Sequence, residues 1–209
     1  MSRAGRDGIT DDPHDGYERP GRRSRPRTKD RPSYDRAEVA TVITVDRGRY
    51  RCLAAEDRPL VTATKARTLG RTGVIVGDRV RLVGDTSGDQ GTLARIVGVE
   101  ERRTVLRRTA DDDDPFERPI VANADQLVIV AALADPPPRV GMIDRILVAA
   151  YDAGLEPLLV LTKADLADPD GLMATYRPLG LQVVAVEPGS DLGELRDALR
   201  GHHSVLVGH

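Results

Sequence analysis

The residues of this sequence best placed to do chemistry are Thr162, Lys163 and Asp165, in the stretch "LVLTKADL" (159–166). They follow directly on "PLLVL" (157–161), a continuous apolar run of the kind that forms a strand buried on both faces. Ligands of parallel α/β sheets lie beyond the carboxyl ends of such strands. Lys163 is one of three lysines among 31 basic residues, so its position asks for a compact ammonium on a flexible stem and not a planar guanidinium fork. Asp165 brings two acceptor oxygens. Guanine presents two adjacent donors, N1–H and the 2-amino group, whereas adenine has an acceptor at N1 and no 2-amino group. A carboxylate here selects guanine, because the wrong base leaves it unpaired. The lysine stem can lie along the base while its head ties neighbouring loops together. Four residues of spacing alone also fit a plain surface Lys-Asp pair; placement after a core strand favours the base-reading role.

The elements that must hold this loop follow from Gln126 onward. "QLVIVAAL" reads as a buried strand, and "GMIDRILVAAYDAG" (141–154) as a helix with Ile143, Ile146, Leu147, Ala150 and Tyr151 on one stripe. "LQVVAV" (181–186) is a further strand, "DLGELRDALRG" (191–201) a helix ending in glycine, and "SVLV" (204–207) a fourth strand. Alternating strands and helices predict a parallel sheet with crossover helices.

Upstream, from Val39 to about Val99, the period is two. "VATVITV" (39–45), "YRCLA" (50–54), "VTATKA" (61–66), "GVIVGDRVRLV" (73–83) and "GTLARIVGV" (91–99) are short and β-branched, with Gly77-Asp78 suited to a tight hairpin turn. About five strands without a helix predict a small closed barrel, an OB-fold, with an SH3-like barrel the alternative that pattern alone leaves open. Arg47, Arg49, Arg51, Lys65, Arg67, Arg71, Arg79 and Arg81 would give it a basic side. Arg49, Arg51, Lys65, Arg67 and Arg79 are the RNA-binding candidates; plain outward-facing strand residues are the other reading of that charge.

Residues 1–36 have almost nothing to bury and are expected to be a disordered basic tail. Within them, "RPGRRSRPRTKDR" (19–31) is an RNA-binding arm or a solvated tail. The domain boundaries that follow are 37–108 for the barrel, 109–120 for a linker and 121–209 for the α/β part. By composition the linker reaches back to residue 100, and its four aspartates (111–114) read as solvated loop, since consecutive carboxylates lack the spacing of a calcium loop. The net charge of −2 gives no bulk attraction to nucleic acid, so any basic surface is local. One cysteine, Cys52, allows no internal disulfide, and with four histidines makes no structural zinc site. No apolar run is long enough to span a membrane, so a cytoplasmic protein is expected.

The run "IVANADQLVIVAAL…IDRILVAAYDAGLEPLLVLTKADL" (120–166), with "GDRVRL" and "LRRT" upstream, resembles the RsgA (YjeQ) family of circularly permuted, ribosome small-subunit-dependent GTPases. The resemblance extends over about residues 39–209, in the order barrel, linker, α/β domain. It implies that Thr162, Lys163 and Asp165 are the guanine-specificity motif, with threonine where asparagine is commoner. It implies a second base-contacting loop at Glu187, Pro188 and Gly189, where small hydroxyl residues are more usual. Asn123 and Asp125 match the family's "AN.DQ" junction and are read as turn residues between barrel and α/β domain. In this family the guanine-reading loop precedes the phosphate loop, so the strand ending at Gly208-His209 would lead into that loop, with Gly208 its first glycine.

The resemblance further implies GTP and GDP with magnesium as ligands of the complete protein, zinc in a C-terminal module, and the small ribosomal subunit with its rRNA as partner. The 209 residues contain no GxxxxGK[ST], no downstream DxxG and no Cys/His cluster. The expectation is an N-terminal portion of a monomeric ribosome-biogenesis GTPase, with no catalytic residue or metal ligand of its own and no GTP turnover. A non-enzymatic RNA- or ribosome-binding module and a degenerate inactive fragment are the alternatives.

Overall fold

The computed structural model describes residue 34 and residues 37–70, 73–109 and 117–208. The expected basic tail (Tyr34 and Ala37 onward apart), Arg71, the four aspartates at 111–114 and His209 lie outside the described residues.

Five strands form the barrel: β1 (Glu38–Asp46), β2 (Arg49–Leu53), β3 (Val61–Lys65), β4 (Arg79–Gly84) and β5 (Ala94–Val99). They close in the order β1-β2-β3-β5-β4, with β3 and β5 parallel and the other pairs antiparallel. That order is the OB-fold's and removes the SH3-like alternative. Alternate residues point inward: Ala40 and Val42, Tyr50 and Cys52, Val61 and Ala63, Val80 and Leu82, Ala94 and Ile96 are all buried in one cluster. Burial pushes the Cys52 thiol up to about 11, so it packs there as a small hydrophobe.

Gly77-Asp78 does not make the expected hairpin. Residues 73–78 run as a loop into β4, and Val76 forms an isolated bridge with Val121. The Gly77 N–H donates to the Val42 carbonyl (2.8 Å) at φ 84°, and a Cβ there would sit 1.8 Å from the Ala122 carbonyl oxygen. The glycine serves a close backbone crossing and not a two-residue turn. Asp78 is fully buried: its carboxylate accepts from Arg102 Nε (2.7 Å), Arg102 Nη2 (2.9 Å) and the Ile75 N–H (2.8 Å). That carboxylate raises the already high pKa of the Arg102 guanidinium.

Residues 100–120, expected as linker, contribute to an antiparallel ribbon of β6 (Val105–Thr109) and β7 (Glu117–Ala122). Leu106 anchors it, buried in the same core as Leu127 and Ile129. Asn123, at φ 57°, closes β7. Its Nδ2 donates to the Gly77 carbonyl (2.9 Å), and its Oδ1 accepts from the Arg103 N–H (2.9 Å). Asp125 Oδ1 accepts from the His203 N–H (2.9 Å). Asn123 thus holds the bend that closes β7, as the junction motif suggested, whereas Asp125 ties the start of β8 to the residue before β11, 78 positions away.

The last part alternates β8 (Gln126–Ala132), α1 (Val140–Asp152), β9 (Glu156–Thr162), α2 (Asp170–Tyr176), β10 (Gln182–Ala185), α3 (Gly193–Leu199) and β11 (Ser204–Gly208). The strands form a parallel sheet in the order β10-β9-β8-β11. Leu127, Ile129, Leu159 and Leu161 face α1 and α2, while Val128, Leu158, Val160 and Val184 face Leu195, Ala198 and Leu199 of α3. On α1, Ile143, Leu147 and Ala150 are buried, but Tyr151, at the edge of the stripe, is 58% exposed.

Helix α2 is an addition to the sequence reading, and Tyr176 is its buried anchor. The Tyr176 hydroxyl donates to Asp144 Oδ1 (2.9 Å), and burial, then that carboxylate, push the phenol up to about 12. Tyr176→Phe removes this bond and leaves the ring in place. It is expected to lower stability by about 1 kcal/mol, roughly 2–4 °C in melting temperature. Because the folded pKa lies above the free value of 10, the contribution is intact below pH 10 and fades from there to about 12. Melting curves of both proteins at neutral and alkaline pH check this.

Candidate guanine-reading site and basic barrel surface

Strand β9 lies between β10 and β8, so its carboxyl end reaches solvent with a loop on either side. Thr162 ends the strand, and its carbonyl accepts from the Leu133 N–H (2.9 Å). Lys163 then takes a left-handed backbone conformation, φ 60°, which reverses the chain. Its Nζ donates to the carbonyls of Ala134 (3.0 Å) and Asp135 (2.5 Å), in the loop after β8. The next N–H, of Ala164, donates to the Val186 carbonyl (3.2 Å) beyond β10. Three consecutive residues thus fasten the loops that follow three strands. The lysine head ties neighbouring loops, and a non-glycine left-handed residue at a strand tip marks a place where local strain is tolerated for position.

Asp165 follows on this fixed base. It is exposed, and among the described residues its carboxylate has no hydrogen bond or ion pair. Both oxygens are open to two parallel donors.

Glu187, Pro188 and Gly189 are exposed in the turn after β10, one residue beyond the Val186 carbonyl that Ala164 holds. The Ser190 hydroxyl donates to the Glu187 carbonyl (2.8 Å), and Gly189 has φ 81°. The sequence reading expected a small hydroxyl residue in this loop and found Glu187. Ser190 supplies the hydroxyl three positions on, where it pins the turn. Gly208 closes β11 at the same end of the sheet, opposite Val130, and a Cβ there would lie 2.8 Å from the Val130 carbonyl oxygen.

The barrel's basic candidates separate into two groups. Arg49 on β2 stands opposite Thr64 on β3, and Thr64 stands opposite Arg95 on β5. Arg51 is the next exposed residue along β2, opposite Thr62. Lys65 and Arg67 flank the end of β3 beside the short turn Arg67–Leu69, and with Arg95 they line a groove of about 520 Å³. The Lys65 Nζ donates to the Gly70 carbonyl (3.1 Å). Arg79 is elsewhere: it sits opposite Thr41 and lines a pocket of about 230 Å³ with Arg103, Asn123 and His203. Arg81 pairs with Glu100, and Arg47 sits in the β1–β2 turn. Arg95 was not among the sequence candidates, because only strand register shows that it shares a row with Arg49.

Among the described residues no three His, Cys, Asp or Glu side chains are grouped to hold a metal ion, and no helix is long and apolar enough to cross a membrane.

A family model described as RsgA GTPase matches residues 99–209, just over half of the chain. "Small ribosomal subunit biogenesis GTPase RsgA" of Pseudomonas aeruginosa is 41% identical over 143 residues, 65% of this chain and 40% of that protein. The protein of the same name from Chlorobaculum parvum is 36% identical over 159 residues, 71% of this chain and 51% of that one. The crystal structure of YjeQ from Thermotoga maritima is similar with a TM-score of 0.62 at 25% identity, over 82% of this chain and 60% of that chain. YloQ, described as a circularly permuted GTPase, shares the fold with a TM-score of 0.60 at 21% identity, over 84% of this chain and 61% of that chain. The chain spans about 40–51% of the length of these two curated relatives.

Proposed function

Because this chain belongs to the RsgA GTPase family, we propose that it is the barrel and guanine-reading portion of a GTPase acting in small ribosomal subunit biogenesis. The relatives' names support the role in small ribosomal subunit biogenesis. We extend it to the small subunit with its rRNA as partner, and to a cytoplasmic monomer. The single observation that carries the nucleotide reading is the open Asp165 carboxylate on a loop fastened by Lys163 and Ala164.

On this reading, the two Asp165 oxygens accept from N1–H and the 2-amino group of guanine. Lys163 is held by the Ala134 and Asp135 carbonyls, so its stem forms a wall beside the base. Thr162 lacks the amide of the commoner asparagine and has less to offer the neighbouring loops. Glu187, Pro188 and Gly189 bound the other side of the base. Gly208 leads toward the phosphates, and its missing side chain lets β11 lie close against Val130. In the complete GTPase magnesium would screen the phosphate charge, and hydrolysis would depend on the phosphate loop.

The 209-residue chain therefore binds GDP through its base alone. Calorimetry is expected to show weak binding, with GDP favoured over ADP by about tenfold or more, since adenine leaves the carboxylate unpaired. Equal affinity for the two would sink the guanine assignment. Phosphate release from GTP by the same chain is expected to stay at the buffer rate.

A further inference from the structure

Resting on the reading of the barrel as an RNA-binding module, we propose that its partner is single-stranded RNA held along the β2-β3-β5 face, with one nucleotide seated in the groove beside the Arg67–Leu69 turn.

The row Arg49–Thr64–Arg95 runs across three neighbouring strands. Strands lie about 4.8 Å apart, so the two arginines start roughly 10 Å apart on either side of a hydroxyl. Arg49, Arg67 and Arg95 have no hydrogen bond or ion pair among the described residues, so their guanidinium groups are open to phosphate oxygens. Arg81, by contrast, is engaged with Glu100 and the Tyr34 carbonyl.

The groove itself separates a nucleotide from a bare phosphate. Its lining includes Lys65, Arg67 and Arg95, the apolar Val83 and Val97, and Tyr34, and no carboxylate. A phosphate needs only the cations. Cations beside apolar side chains and a tyrosine match a base and its phosphate together. A duplex keeps its bases stacked inside and would leave those apolar groups uncovered, so the occupant is a single strand. The pocket at Arg79 and Arg103, whose one ring is His203, is separate from this groove and is no part of the proposed site.

The test is fluorescence anisotropy on the 209-residue chain, with a single-stranded oligouridine RNA, an RNA duplex of equal length and 16S rRNA as probes, across a salt titration. The single strand is expected to bind more tightly than the duplex. The variant carrying Arg67→Gln and Arg95→Gln should bind it at least tenfold more weakly, with the slope of log affinity against log salt flattened by about 1.4, two phosphates' worth. Tyr34→Ala should weaken binding about fivefold or more and leave the slope unchanged. Arg177→Gln with Arg196→Gln, exposed arginines of the α/β part, should change neither. Melting temperatures unchanged from wild type show that each variant folds.

Wild-type binding with the Arg67/Arg95 variant unaffected overturns the placement and leaves the RNA reading standing. Tighter binding of the duplex overturns the single-strand assignment. If wild type binds none of the three RNAs at low salt, the RNA reading of the barrel fails, and this proposal with it.

Discussion

Replacing Asp78 by alanine is expected to destabilise the chain by about 3 kcal/mol, roughly 6–12 °C in melting temperature. The carboxylate is fully buried and takes three hydrogen bonds, two from Arg102 and one from the Ile75 N–H. Alanine orphans that N–H and strips the carboxylate from a guanidinium whose side chain is only 23% exposed. Breaking a buried pair from one side costs about 3–5 kcal/mol, and the partial exposure of Arg102 places this case at the low end. Arg102 also donates to the Gly73 carbonyl (2.8 Å), so one residue anchors both ends of the loop that carries Gly77. Arg102→Ala should cost at least as much, because it leaves a carboxylate buried without its cation. The double variant should cost less than the sum of the two. Thermal melting of the four proteins decides it; strictly additive losses, or a melting temperature for Asp78→Ala close to wild type, would remove the clasp from the account.

The same loop shows where sequence reading reaches its limit. Gly-Asp between two apolar runs is a sound local turn signal, and it misleads here because the deciding contacts are distant. The Ala122 carbonyl crosses over Gly77, and Arg102 claims Asp78. Neither contact leaves a local periodicity. The ribbon was hidden for a related reason: Arg102, Arg103, Arg107 and Arg108 give residues 100–109 the composition of a linker, while Leu106 does most of the burying. Helix α2 escaped because Tyr176 is its one fully buried residue, too little to make a stripe.

What was legible had a period or an abrupt end. Val42, Cys52, Ala63, Leu82 and Ile96 alternate with outward residues, and alternation is what a barrel wall requires. Val160 and Leu161 run without a break into Thr162, and that discontinuity located the loop carrying Asp165. The partners of Lys163 could not be read the same way. They are main-chain carbonyls of residues 134 and 135, and a carbonyl has no sequence signature.

Asp165→Asn is the prediction that bears most directly on function. The two side chains have nearly the same shape, and Asp165 has no partner to lose among the described residues, so the fold should be unchanged. The hydrogen-bonding pattern is what changes. A carboxylate accepts from both N1–H and the 2-amino group of guanine, whereas an amide puts one acceptor and one donor there. Its NH2 then faces the 2-amino group, donor against donor. A hydrogen bond to a charged group is worth about 1.5–3 kcal/mol, so GDP affinity should fall roughly 10- to 100-fold. Xanthine carries a carbonyl in place of the 2-amino group and keeps N1–H. The asparagine therefore matches xanthine donor to acceptor, while the aspartate repels its carbonyl oxygen. The expected result is an inversion: wild type prefers GDP to xanthosine diphosphate, and the variant prefers xanthosine diphosphate. Titration calorimetry with both nucleotides reads the ratio directly. A uniform loss of both, with the ratio unmoved, would mean that Asp165 supports its loop and that the base is read elsewhere.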